Sequence, residues 1–274
     1  MGGFIYNNNS TQNILNDSEL MLCTFDGIES VTGHQRDDIT GEMTISRPIA
    51  NEYGTQYQTL EVEYGLIKKN YKCFTQEEQR IVETWLTSPK FSQKLELIDC
   101  KGRSLEYFYY GKFLSTQWIP YDEGYAGVIF KFKNNTAYPT KHFNQMFNMN
   151  PSESIEINCK SDELNEYIYP IITISQNEKP IENIIISNIS DMSKTVTISA
   201  RRNLPIILDC KHCIPKDGTT SGIISYNDLG WKDVGNIYWM RLTPGINVIK
   251  NEGTTSIQLK FEFDYPYKKV GGWL

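Results

Sequence analysis

Apolar residues recur at every second position through most of the second half of the chain. Ile155/Ile157, Ile172/Ile174, Ile184/Ile186 and Val196/Ile198/Ala200 all step by two, and Ile257, Leu259, Phe261 and Phe263 alternate with Gln258, Lys260 and Glu262. Successive side chains of a strand face opposite ways, so this pattern makes one buried and one wet surface, which a helix of period 3.6 does not. Between strands, Pro244-Gly245 supplies φ near −65° and then φ > 0, as a type II turn requires. Ile246 and Val248 step by two after it, and Asn251-Glu252-Gly253 turns the chain again. Many short strands between turn signals predict an antiparallel sandwich or barrel with one buried face. Composition agrees: 32 Ile, 8 Val and 21 Thr stand against four Ala, the best helix former. The chain therefore reads as mainly β, against a helical bundle.

The first half mixes strands with one helix. Met43-Thr44-Ile45, Val62-Glu63-Tyr64 and Leu95-Glu96-Leu97 alternate, and Val128, Phe130 and Phe132 share a face. Gln76 to Leu86 reads as a helix. Thr75 is a good N-cap and Glu78 completes a capping box, while Ile81, Val82, Trp85 and Leu86 form one apolar stripe that Ser88-Pro89 ends. The clearest break is Asn-rich and holds Pro139 and Pro151. It predicts a β-rich domain over 1–137, a linker over 138–150 and a β-sandwich over 151–274.

Charge and targeting signals narrow the function classes. Of the 274 residues, 33 are acidic and 27 basic, a net charge of −6. That balance opposes nucleic-acid binding, which needs a basic footprint. Residues 1–137 carry 18 acids and 13 bases, whereas residues 138–274 carry 15 and 14. No apolar run approaches the ~20 residues of a membrane span, and Met1 to Asn7 lack a signal peptide's basic start and apolar core. Synthesis in the cytoplasm is the expectation, with Cys23, Cys73, Cys100, Cys159, Cys210 and Cys213 reduced.

Reactive constellations are absent from the sequence. His34, His142 and His212 lie in no catalytic context, and no nucleophile elbow, phosphate loop or dinucleotide fingerprint occurs. No catalytic residue and no cofactor are expected. Asp37-Asp38 and Glu77-Glu78 are carboxylate pairs, but adjacent residues diverge on a strand or a helix, so they read as solvated surface. Cys210-Lys211-His212-Cys213 is the one metal-like spacing. Structural zinc wants four ligands, commonly from two such pairs, and no second pair exists, so Cys210 and Cys213 are weak candidates only. Tyr107-Phe108-Tyr109-Tyr110, Tyr121, Tyr125, Trp231, Tyr238 and Trp239 could be sugar platforms. They read instead as sheet cores or oligomer interfaces, where Tyr and Trp are enriched.

The order of these features resembles the distal tail protein family of long-tailed bacteriophages that infect Gram-positive bacteria, with their prophage and tail-like bacteriocin relatives. Phe4-Ile5-Tyr6-Asn7-Asn8 looks like its first strand, although Thr11 to Leu22 looks extended relative to the family. The helix with Trp85-Leu86, then Leu95 to Asp99, then Tyr109-Tyr110-Gly111-Lys112-Phe113 resembles its central block. Leu242-Thr243-Pro244-Gly245-Ile246-Asn247, the Gly253 turn, the alternating strand and Tyr265-Pro266 resemble its terminal hairpin.

The resemblance implies a first half that assembles into a hexameric ring and a second half that is a galectin-like β-sandwich facing outward. It further implies a non-enzymatic hub in the virion tail tip. That hub would join the tail tube, a tail-associated or tail-tip protein and receptor-binding or baseplate proteins, with phage DNA only passing through. Such a ring would pair strand edges between subunits. It would also bring six copies of an acidic first half around the pore, which predicts an acidic or neutral channel. A carbohydrate-binding adsorption module is the alternative, although the galectin His-x-Asn-Pro-Arg motif is missing. A cell-wall enzyme has the least support. The contact residues of the ring are not readable from sequence.

Overall fold

The computed structural model describes residues 2–25, 36–41, 52–122, 124–175, 184–199, 205–232 and 237–269. The chain forms two compact units, residues 1–140 with 267–274, and residues 141–266.

In the first unit, β1 (Gly3–Tyr6) turns through Asn7 and Asn8 into β2 (Asn9–Ser10). Both Asn residues have positive φ, 46° and 63°, as a two-residue type I′ hairpin demands. Next come β3 (Leu20–Cys23), β4 (Arg36–Thr40), β5 (Glu52–Tyr57) and β6 (Glu61–Lys68). After α1 (Gln76–Thr87), the chain adds β7 (Gln93–Ile98), β8 (Ser104–Tyr121) and β9 (Gly124–Asn134). Seven strands pair antiparallel in the order β2-β1-β7-β8-β9-β6-β3.

That sheet then curls back on itself: Leu20 N–H donates to the Thr11 carbonyl at 2.7 Å and Leu22 N–H to that of Gly2 at 3.3 Å. Its interior is aromatic. Phe4 stacks on Trp85 with ring centroids 5.2 Å apart, and Phe113 meets Phe130 and Phe132 edge-on. Each such ring removed from water stabilises the fold by roughly 1.5–3 kcal/mol.

The helix has the predicted cap. Glu78 N–H donates to Thr75 Oγ1, and Thr75 N–H donates to Glu78 Oε2. Val82, Trp85 and Leu86 are buried, and the Trp85 indole N–H donates to the Tyr6 carbonyl at 2.8 Å. Glu78 corrects the reading of Glu77-Glu78 as solvated surface. Glu77 pairs with exposed Arg80, but Glu78 lies against Lys68, whose ammonium is 2.8 Å away and itself buried. An apolar wall would strand that ammonium without a partner, so the carboxylate turns inward. Glu83 completes the helix attachment by accepting from Thr116 Oγ1 and the Trp118 indole on β8.

In the second unit, β10 (Thr140–Met149) is followed by β11 (Ser154–Cys159), β12 (Ile171–Ser175), β13 (Ile184–Asn188) and β14 (Lys194–Ile198). Next come β15 (Ile206–Asp209), β16 (Ile214–Asp217), β17 (Gly245–Asn251) and β18 (Ile257–Pro266). One sheet runs β16-β15-β12-β18-β10 and the other β11-β17-β13-β14. Ile172, Ile174, Leu259 and Phe261 from the first sheet share one core with Ile157, Ile186, Val196 and Ile249 from the second. Two antiparallel sheets face to face make this unit a β-sandwich.

Gly245 has φ +94°, as the type II turn predicts. The strand after it has the opposite face buried, however. Ile246 is 58% exposed, while Asn247, Ile249 and Asn251 point inward. The two asparagines hold the ends of the strand. Asn247 bonds to the Thr243 N–H and carbonyl, and Asn251 bonds to the Thr255 carbonyl and the Gly253 N–H. A buried turn backbone needs such partners, and this requirement outweighs the apolar alternation. The Met43 to Ile45 strand, Ala200 and His34 lie outside the described residues.

Candidate assembly surfaces

A protein of sheets can meet others along strand edges, so the fate of each edge locates the surfaces available for assembly. The two ends of the first unit's sheet meet each other through the Leu20 and Leu22 N–H groups. The β4–β5 ribbon is a separate two-stranded sheet that pairs with no other described strand. Nearly all its side chains are exposed, including Ile39 at 47% and Tyr53 at 68%. The register shifts within the ribbon: Ile39 faces Gly54 and Thr40 faces Glu52, so Tyr53 is the extra residue, next to Gly54, whose φ of +130° suits only glycine. Two strands alone are marginal in water, so the ribbon depends on contacts beyond its own pairing. Asp37 and Asp38 lie here, engaged by Gln58 and Thr55 and open to water.

In the second unit two edges are covered from within. Along β14, the Trp231 indole donates to the Thr197 carbonyl and Ser199 N–H donates to Leu229. Along β16, Asp217 N–H donates to Gly222 and Ile224 N–H donates to Pro215. The outer side of β11 carries no main-chain hydrogen bond among the described residues.

The weak metal candidates occupy a hairpin turn. Cys210 to Cys213 join β15 to β16, with Asp209 opposite Ile214. Cys210 is buried and burial pushes its thiol up to about 12, whereas Cys213 is exposed at φ +57°. The Cys213 thiol donates to the Cys210 carbonyl, and His212 turns to Asp209, its Nδ1 2.9 Å from the carboxylate. Among the described residues, no three His, Cys, Asp or Glu side chains gather as a metal would need.

The aromatic runs go mostly inward. Tyr107, Phe108 and Tyr109 are buried, and Trp231 and Trp239 meet edge-on at 5.4 Å. Tyr121 and Tyr125, at the tip of the β8–β9 hairpin, remain exposed.

Sequence reasoning missed the ribbon itself. Its available signal was Tyr53, Thr55 and Tyr57 at alternate positions.

Comparison with known proteins decides the family. Residues 2–136 match a family model described as a phage tail protein N-terminal domain, and residues 137–265 match a phage tail C-terminal domain. The chain belongs to the phage tail proteins. This tail protein is Dit-like in fold. The solved Dit (gp 19.1) protein of phage SPP1, described as a paradigm of the hub adsorption apparatus in phages infecting Gram-positive bacteria, superposes with a TM-score of 0.66 at 12% identity. The match covers 97% of this chain and 99% of that one. A chain of the activated phage P2 baseplate with Ca matches at a TM-score of 0.48 and 11% identity, covering 87% of this tail protein and 89% of that chain. No curated protein matches the sequence significantly.

Proposed function

We propose that this tail protein is a non-enzymatic hub of the tail tip, in which six copies close a ring through their first units. The ring would join the tail tube to the tail-tip protein, and the second unit would hold receptor-binding or baseplate proteins. One observation carries the reading: the sheet of the first unit meets itself, while the β4–β5 ribbon pairs with no third strand among the described residues. Rotationally repeated pairing of that ribbon with the next copy gives a closed ring when the rotation closes. The SPP1 protein's description as part of a hub adsorption apparatus supports the same role.

Carbohydrate capture is less well supported, because Trp231 and Trp239 pack edge-on against each other and Trp231 also donates to the Thr197 carbonyl.

Light scattering of the full chain across concentration tests the proposal. Particles approaching six times 31.6 kDa are expected. Ile39→Lys should abolish them with little change in the melting temperature, since an edge lysine blocks strand pairing. Unchanged particles from that variant would overturn the reading.

A further inference from the structure

The ribbon has no core of its own, so something must fix its root. Tyr57, the last residue of β5 and the partner of Arg36 across the ribbon, is half-buried. Its ring meets Tyr138 edge-on at 5.7 Å. The Lys268 ammonium lies 4.9 Å from the centre of the Tyr57 ring and 5.6 Å from that of Tyr138, and it donates to the Tyr57 hydroxyl at 2.9 Å.

The residues on either side are tied as well. Tyr267 N–H donates to the Pro139 carbonyl, and its ring lies 5.9 Å from that of Tyr107. Lys269 Nζ donates to the Tyr107 hydroxyl at 2.6 Å. Three consecutive residues thus leave the end of β18 and return to the first unit, each with a specific hold there.

We propose that residues 267–269 are a clasp that fixes the root of the β4–β5 ribbon and so presents its edges ready for pairing; this rests on the ribbon being the contact between copies. An ammonium that donates to one tyrosine hydroxyl and lies within 6 Å of two tyrosine rings gains from both, and more so when partly desolvated. A pre-set ribbon also avoids the ordering cost that a loose one incurs on association.

Hydrogen exchange of the full chain reads the clasp directly in Arg36–Thr40 and Glu52–Tyr57. Lys268→Met keeps the length of the side chain and removes the charge and the donor. It is expected to lower protection in both strands about tenfold, while Lys268→Arg retains it. Deletion of 267–274 should reproduce the loss. The concentration needed for assembly should rise by a similar factor. Protection unchanged in both Lys268→Met and the deletion overturns the clasp, as do wild-type strands that exchange without protection. Lost protection with undiminished assembly upholds the clasp and refutes the ribbon as the contact between copies.

Discussion

Asp191 sits in the turn between β13 and β14 with almost no exposure, where a lone carboxylate would be costly. Arg241 meets it from two nitrogens at 2.8 and 3.0 Å, Tyr238 donates to it at 2.8 Å, and the guanidinium stacks 3.8 Å from the centre of the Tyr167 ring. The bond from Arg241 holds the Asp191 carboxyl below its ordinary range, against the pull of burial. A depressed folded value means that the stability Asp191 adds is complete above the unfolded value near 3.9 and is lost as pH falls through the folded one. Asp191→Asn, which mimics the protonated acid, should cost roughly 3 kcal/mol at pH 7 by leaving the guanidinium unpaired. Denaturant titrations should show this deficit narrowing below about pH 4. A deficit that does not change with pH would exclude the ion pair as its source. At the helix start, Thr75→Ala removes the cap and should cost about 1 kcal/mol in the same measurement.

At the scale of elements, the ribbon is the segment most easily altered without damage to the cores. Thr55→Pro should therefore weaken assembly and leave thermal unfolding within about 1 kcal/mol of the wild type, because the ribbon contributes little to either core. A large loss of thermal stability would mean that the ribbon is integral to the first unit.

Local signals alone reveal some of these elements. Helix α1 is readable from Thr75 to Ser88 because cap, stripe and stop are all local signals. Strand β18 is readable because Ile257, Leu259, Phe261 and Phe263 face one core without interruption. Strand β17 is misread because Asn247 and Asn251 hold the buried face for hydrogen bonding, a need invisible to hydropathy. The β4 strand of the ribbon escapes for a related reason: Arg36-Asp37-Asp38-Ile39-Thr40 faces water on both sides and so has no period. The clasp brings Tyr57 and Lys268 together across 211 residues, beyond any local pattern.

At the scale of the whole molecule, the excess of acid over base in residues 1–137 bears on what a ring could thread. A pore lined by six such units would repel or ignore phosphates. Assembled particles should therefore not retain duplex DNA even at about 50 mM salt, where phosphate contacts are strong. Retention that falls steeply with added salt would reveal a basic channel and contradict this.

The β4–β5 ribbon, which pairs with no other described strand, is proposed to join a neighbouring copy. A cryo-EM map of the assembled particle tests it most directly. Main-chain pairing of β4 or β5 with the adjacent subunit is the expected result; ribbons that project unpaired into solvent around an otherwise complete ring would refute the ribbon as the contact between copies.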